Sequence, residues 1–199
     1  TAGLQVKILE GGYKAYRNEV LAIFDQPIPF RVLGGKTGSG KTEILHELEK
    51  RGHQVLDLEG LAHHRGSAFG HLGLEEQPTS EHFENEVYRV LRGFNYKQKI
   101  WVEDESRHIG KVFMSAPLYN QLREAPIVFL DIEAIYRLPH LVHVYASYPK
   151  EDLATALDKI KKRLGLDRYA IAMEALEAGD FSLVAEITLH YYDKAYMYG

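Results

Sequence analysis

The chain contains no cysteine among its 199 residues. That absence excludes disulfide bridges, thiolate metal sites and every mechanism that needs a nucleophilic thiol. Any chemistry that depends on a cysteine therefore has to come from another domain or subunit.

Long apolar stretches and an excess of basic residues are also missing. No apolar run approaches the roughly 20 residues that a membrane helix needs, and the start at Thr1 shows no basic region followed by an apolar one. We therefore expect a cytoplasmic protein that does not associate with a membrane. The net charge of −4 argues against indiscriminate binding of polyanions, although a local basic patch can still bind RNA.

A glycine-rich motif follows a short apolar stretch and precedes a helical pattern. It reads Gly35-Lys36-Thr37-Gly38-Ser39-Gly40-Lys41-Thr42 and matches the pattern G-x-x-x-x-G-K-[ST] of a P-loop. In such a loop, backbone N–H groups curl around phosphate oxygens, and the start of the helix adds positive potential. We predict that Lys41 contacts the terminal phosphate and that Thr42 binds Mg²⁺. The phosphate-binding cradle would consist of Gly35, Thr37, Gly38, Ser39, Gly40, Lys41 and Thr42. The alternative is a glycine-rich turn without a ligand.

The apolar pattern around this motif alternates between strands and helices. Strands are predicted at 30–33, 55–58, 100–102 and 127–130, and helices after Gly11-Gly12, at 41–51, after an N-cap at Ser80 and after Ser115. The fourth strand is nearly continuously apolar, which is typical of a buried parallel strand.

This alternation predicts an α/β fold. We expect one three-layer P-loop NTPase-like domain with a mainly parallel sheet and a helical C-terminal subregion. Its parts would be a helical lead-in over 1–29, the P-loop α/β core over 30–132 and the helical subregion over 133–199.

Acidic residues follow the third predicted strand, at Glu103-Asp104-Glu105. A P-loop protein holds its metal ion through a carboxylate at such a strand end. We favour Asp104, which would hold Mg²⁺ together with Thr42. The alternative is an acidic turn that faces solvent.

Polar residues also follow the second predicted strand, where sheets of this kind bind substrates beyond the carboxyl ends of the strands. The candidates for contact with substrate or RNA are Asp57, Glu59, His64 and Arg65. The Arg65 guanidinium suits a phosphate or carboxylate. For His63 and His64 a polar loop role is favoured over a metal site, because the chain has no cysteine and no spaced partner ligand is evident.

Basic residues crowd the end of one predicted helix in the C-terminal part. Lys162 and Arg163 belong to this patch, which would contact RNA phosphates. Alternatively, these charges complement the helix dipole and face solvent.

Dispersed motifs beyond the P-loop carry a more specific signal. They are Asp57-Leu58-Glu59-Gly60-Leu61-Ala62, His64-Arg65-Gly66-Ser67, Phe69-Gly70, Gln77-Pro78, Phe83-Glu84-Asn85, Trp101-Val102-Glu103-Asp104-Glu105-Ser106-Arg107, Ile109-Gly110, Tyr191-Tyr192-Asp193 and Tyr196. Together with Gly34-Gly35 through Thr42, they resemble the bacterial tRNA 2-selenouridine synthases. The resemblance runs from about Gly11 to the C-terminus.

This resemblance implies a transferase that acts on 2-thiouridine at the wobble position of certain tRNAs. The family joins a P-loop domain to a rhodanese-like domain whose cysteine handles selenium, so this chain would need such a domain or subunit as its partner. The uridine sulfur is geranylated from geranyl diphosphate and then replaced by selenium from selenophosphate.

The resemblance also implies roles for single residues. Lys41 and Thr42 would bind the diphosphate of geranyl diphosphate, or a nucleotide such as ATP or GTP. Arg65 and Arg107 would hold phosphate groups or tRNA. The residues expected to take part in catalysis are Lys41, Asp104 and Arg107.

Two other functions fit the same residues. A small-molecule P-loop kinase would transfer a γ-phosphoryl group, with Arg163 or Arg168 acting from a lid. A non-catalytic module would present tRNA to the rhodanese-like domain and use the P-loop only as an anion site.

Overall fold

The computed structural model describes residues 8–198, with side chains through residue 196. The strands are β1 (Phe30–Gly35), β2 (Gln54–Leu56), β3 (Ile100–Glu103), β4 (His108–Ile109), β5 (Val112–Phe113) and β6 (Ile127–Leu130). The helices are α1 (Gly12–Phe24), α2 (Lys41–Lys50), α3 (Leu58–Ala62), α4 (Ser80–Leu91), α5 (Ala116–Glu124), α6 (Ala134–Tyr145), α7 (Lys150–Leu164), α8 (Leu166–Ala178) and α9 (Phe181–Tyr198). Among residues 8–198, no helix combines the length and the apolar character that a membrane crossing requires.

The central sheet is parallel and has the strand order β2-β3-β1-β6. Val32 of β1 pairs with Val102 of β3 on one side and with Ile127 of β6 on the other. The chain passes from β1 to β2 on one side of β1, whereas β6 lies on the opposite side. The carboxyl end of β1 is therefore at a reversal of strand order, where such sheets bind ligands.

Apolar side chains cover both faces of this sheet. On one face Val32 and Val102 belong to a buried cluster that also contains residues of α1, α4 and α5. On the other face Leu33 packs with Leu45 of α2. Helices on both faces of a parallel sheet confirm the predicted three-layer α/β fold.

The C-terminal helices form a second buried cluster. Leu157 of α7, Leu176 of α8 and Val184 of α9 pack together, and Phe69 and Leu72 from the loop after α3 join them. The predicted helical subregion is thus present and packs against a loop of the sheet region. Its boundary at residue 133 and that of the lead-in at residue 29 stay predictions, and residues 1–7 lie outside the described residues.

Two local predictions are wrong. The strand predicted over 55–58 ends at Leu56, because Asp57 is the N-cap of α3 and its Oδ1 accepts a hydrogen bond from the Gly60 amide at 2.7 Å. Helix α4 is capped by Thr79 and not by Ser80. The Ser80 hydroxyl instead accepts a bond from the Phe113 amide at 2.9 Å, which ties α4 to the β4–β5 hairpin.

The fourth predicted strand, β6, is less buried than its apolar run indicated. Ile127 is 52% exposed and Phe129 is 42% exposed. Because β6 ends the strand order of the described sheet, one of its edges has no neighbouring strand there.

Candidate phosphate-binding site

The glycine-rich loop lies between the carboxyl end of β1 and the start of α2. Gly38 and Gly40 both have a φ of 77°, a left-handed conformation that favours glycine. A side chain at Gly38 would also approach Leu141 Cγ to 2.8 Å, so the loop packs closely against α6. Gly40 gives α2 no capping side chain, which leaves the amides of the first helical turn for an anion.

Two polar side chains of the loop also suit a phosphate. The Ser39 hydroxyl is buried and has no hydrogen-bond partner among the described residues. Lys41 Nζ donates to the Gly35 carbonyl oxygen at 2.7 Å, so the ammonium group lies over the loop. A buried hydroxyl without a partner is costly unless a ligand or water satisfies it. The loop therefore offers N–H, O–H and ammonium donors to one anion.

The carboxylate that contacts this loop comes from Glu59 in α3. Its Oε2 accepts a hydrogen bond from Thr42 Oγ1 at 3.3 Å. Burial raises the pKa of Glu59, and its hydrogen bond with Glu105 and the charge of Lys41 oppose that rise. Burial, followed by the charge of Glu59, raises the pKa of Glu105 well above its ordinary value. Two neighbouring carboxyl groups in such surroundings favour one shared proton.

Glu103, at the end of β3, is fully buried. Its Oε2 accepts a hydrogen bond from the Leu58 amide at 3.0 Å, and its Oε1 has no partner in the described part of the chain. Burial first, and then the charges of Asp57 and Glu59, raise the pKa of Glu103 well above its ordinary value. Glu103 thus ties β3 to the start of α3, the helix that carries Glu59.

Asp104 makes different contacts from those that the sequence predicted. Its Oδ1 accepts a hydrogen bond from Arg123 Nη1 at 2.9 Å, and its Oδ2 accepts one from the Tyr196 hydroxyl at 2.7 Å. Asp104 therefore links α5 to α9, while Thr42 contacts Glu59. Over the described range, no three His, Cys, Asp or Glu side chains are grouped to hold a metal ion. The role of Asp104 in metal binding and catalysis stays a prediction.

The other candidates after β2 support the loop that follows α3. Asp57 caps α3, and its Oδ2 lies 3.5 Å from His46 Nε2. His64 is buried, and burial, followed by the charges of His71 and Lys159, lowers the pKa of His64. Their contact with substrate stays a prediction.

Arg65 shares this supporting role. Its Nη1 donates to the Leu72 carbonyl oxygen at 3.2 Å, and its backbone amide donates to the Gly70 carbonyl oxygen at 2.9 Å. These bonds hold the turn that brings Phe69 and Leu72 to the helical cluster. Binding of a phosphate or tRNA by Arg65 stays a prediction.

The remaining basic candidates contact other parts of the molecule. Arg107 Nε donates to the Met114 carbonyl oxygen at 3.3 Å, and its guanidinium lies 4.2 Å from the centre of the Phe113 ring. Lys162 and Arg163 are exposed near the end of α7. The roles of Arg107, Lys162 and Arg163 stay predictions.

A buried ion pair that the sequence reasoning missed joins the loop to two distant helices. Arg137 of α6 has a side chain that is 2% exposed, and it donates to both carboxylate oxygens of Asp193, at 2.8 and 2.7 Å. Arg137 Nη1 also donates to the Thr37 carbonyl oxygen at 3.0 Å. The available signals were a lone arginine in an apolar helix and the Tyr191-Tyr192-Asp193 motif. The pair fixes the P-loop backbone to α6 and α9.

Comparison with known proteins gives one consistent match. A family model described as the tRNA 2-selenouridine synthase AAA domain matches residues 28–199. The tRNA 2-selenouridine synthase of Sulfurovum sp. (strain NBC37-1) is 34% identical over an alignment that covers 98% of this chain and 62% of the relative. The enzyme of the same name from Marinobacter nauticus is 32% identical and covers 99% of this chain and 62% of the relative. That of Serratia proteamaculans is 33% identical, with 99% and 60% covered. The chain spans about three fifths of the length of these relatives.

Proposed function

The chain belongs to the tRNA 2-selenouridine synthase family, and we propose that it is the part of such an enzyme that binds a diphosphate at the P-loop. One observation carries this proposal. Lys41, the partnerless Ser39 hydroxyl and the uncapped start of α2 belong to one small anion site. The enzyme of which it is part would act in the cytoplasm on tRNA.

The proposed ligand is geranyl diphosphate, and the proposed reaction is transfer of its geranyl group to the sulfur of 2-thiouridine at the tRNA wobble position. A sulfur lone pair forms the new C–S bond, the C–O bond to the diphosphate breaks, and the diphosphate leaves with that electron pair. The N–H proton of the thiouracil ring is released to solvent. Lys41 and the amides of the loop stabilise the charge that develops on the leaving group. This chain is therefore proposed as a component of a transferase.

Mg²⁺ is the proposed cofactor. The Thr42 hydroxyl and the Glu59 carboxylate would hold it, since Mg²⁺ usually takes one or two carboxylates together with substrate phosphates and water. A bound Mg²⁺ would neutralise part of the charge on the departing diphosphate. The contact between Thr42 and Glu59 supports Glu59 for this role ahead of Asp104.

Replacement of sulfur by selenium needs a partner in this proposal. The chain contains no cysteine, so a rhodanese-like domain or subunit would deliver selenium from selenophosphate. Lys162 and Arg163, exposed on α7, would contact the phosphates of the tRNA backbone.

A geranylation assay tests the proposed function. The chain, combined with its rhodanese-like partner, is incubated with 2-thiouridine tRNA and geranyl diphosphate, and the nucleosides are analysed by mass spectrometry. We expect S-geranyl-2-thiouridine, and we expect Lys41→Ala to lower the rate by roughly 100- to 1,000-fold, the usual cost of removing a donor that stabilises developing charge.

Lys50→Ala is the matched control for this assay. Lys50 lies exposed at the other end of α2, so its removal should leave the rate unchanged. Product that forms equally well with Lys41→Ala would refute the proposal. Substrate-dependent turnover of ATP without any geranylation would favour the kinase alternative.

A further inference from the structure

The two edge strands of the described central sheet are covered to very different degrees. β2 is one edge of the order β2-β3-β1-β6, and its Val55 and Leu56 are 7% and 0% exposed. β6 is the other edge, and its Ile127, Val128 and Phe129 are 52%, 40% and 42% exposed. Because side chains alternate between the faces of a strand, Val128 lies on the face opposite to Ile127 and Phe129. Apolar surface is therefore exposed on both faces of β6.

The sequence of β6 is that of an interior strand. Residues 127–130 form a continuous apolar run, which is typical of a parallel strand that is buried on both faces. Exposed edges of natural sheets often carry a charged side chain, a proline or a bulge, and each of these prevents pairing with another strand. The run contains neither a charged residue nor a proline, and its pairing with β1 continues without a bulge from Val32–Ile127 to Gly35–Leu130. β6 therefore has none of these three protections.

The main chain of β6 is also placed to accept a further strand. The Val32 amide of β1 donates to the Pro126 carbonyl oxygen at 3.0 Å, and the polar main-chain groups of successive residues in a strand face opposite sides. The N–H and C=O groups of Val128 therefore face β1. Those of Ile127 and Phe129 face the open edge, the side of β6 on which no strand among residues 8–198 lies. A strand added there would bond to these groups and place its side chains beside the exposed ones.

The relatives contain much more chain than the part that matches. The match covers 62%, 62% and 60% of three of them, so about two fifths of each enzyme lies outside it. The apolar surface continues from β6 to the start of α6, where Ile135 and Tyr136 are exposed. A segment of the same polypeptide reaches such a surface at a high effective concentration, which favours it over a second copy of the chain.

We propose that an extended segment from this further part of the enzyme pairs with the open edge of β6 and adds a fifth strand to the central sheet. Its apolar side chains cover Ile127 and Phe129 on one face of the sheet and Val128 on the other. The added strand also supports the P-loop, because Leu130 of β6 pairs with Gly35, the first residue of that loop. This pairing does not depend on the ligand of the P-loop, so it is tested separately from the proposed function.

Residue-resolved hydrogen exchange on this chain and on the intact synthase of Sulfurovum sp. tests the proposal. Protection factors correct for the intrinsic rate of each amide, so the two proteins can be compared. In this chain we expect the amides of Ile127 and Phe129 to be at least about tenfold less protected than that of Val128, which is bonded to β1. In the intact enzyme the three aligned amides should be protected to a similar degree.

Two outcomes for the intact enzyme would overturn the proposal. In the first, the amides aligned with Ile127 and Phe129 are as weakly protected as in this chain. In the second, they are protected but lose that protection on dilution, which identifies a second copy as the occupant of the edge.

The absence of cysteine from the chain allows a second measurement. Ile127→Cys and Ile171→Cys each place a single thiol at an isoleucine position of similar exposure, 52% in β6 and 49% in α8. We expect a maleimide to label the two variants at rates within about threefold of each other, because access controls the reaction of such thiols. Labelling of Ile127→Cys that is about tenfold slower would show that this chain covers its own edge, and would overturn the proposal.

Discussion

The two sides of the P-loop region, the loop itself and the helix pair α6 and α9 that supports it, are built in different ways. On the phosphate side, the donors come from consecutive residues, Gly35 through Thr42, at the end of one strand and the start of one helix. On the supporting side, the contacts come from α6 and α9, and the ion pair that joins those helices links residues 56 positions apart. Backbone amides can form an anion site from a short segment, because binding needs only their local geometry. The contact of Arg137 with Thr37 and Asp193 forms only after distant helices have packed.

We expect the largest effect on stability from the ion pair of Arg137 and Asp193, the joint between the two sides. Asp193→Ala leaves the buried Arg137 guanidinium without its carboxylate, and the loss of one partner of a buried pair costs about 3–5 kcal/mol. We expect a decrease of that size in the free energy of unfolding, measured by urea denaturation. Affinity for pyrophosphate should fall as well, because Asp193 no longer holds the Arg137 guanidinium that donates to the Thr37 carbonyl group.

Two further variants sharpen this test of the joint. Glu86→Ala removes the carboxylate partner of Arg89, whose side chain is 67% exposed, and should cost less than about 1 kcal/mol. The double variant Arg137→Met with Asp193→Leu should recover most of the lost stability, because no buried charge then remains unpaired. If Asp193→Ala costs no more than Glu86→Ala, the pair does not join the two sides.

A smaller effect on stability is expected on the phosphate side, at Glu103. Its raised pKa means that the folded chain keeps this proton at pH values where the unfolded chain has released it. The resulting stability is fully present below the ordinary pKa of 4.5 and is lost as the pH rises through the raised value.

Glu103→Gln removes this titration with little change in shape. The variant should be as stable as the parent at about pH 5 and more stable at about pH 8. The expected difference at the higher pH is on the order of 1–3 kcal/mol, the cost of a poorly satisfied buried polar group. Thermal unfolding at a series of pH values measures the difference. A difference that does not change with pH would show that Glu103 is not protonated in the folded chain.

The sequence predicted the parallel sheet, whereas it predicted only part of the candidate site. Apolar strands alternating with amphipathic helices predict a parallel sheet because both faces have to be covered. Helix α3 has five residues, too few to show a helical period. An apolar run such as 127–130 reads the same whether neighbouring strands cover both of its edges or only one.

Spacing along the chain explains what was missed at the site. Lys41 and Thr42 belong to one contiguous motif, so their shared location could be predicted. The carboxylate that contacts Thr42 lies 17 positions away, in Glu59, and no spacing rule selects it over Asp104. Arg137 and Asp193 come together only through the packing of α6 on α9.

Calorimetric titration with inorganic pyrophosphate tests most directly whether the P-loop depends on the helix pair that supports it. We predict that Asp193→Ala weakens pyrophosphate binding and that Glu86→Ala leaves it unchanged, because only Asp193 holds the Arg137 guanidinium that donates to the Thr37 carbonyl group. Equal affinities of the two variants for pyrophosphate would contradict this account.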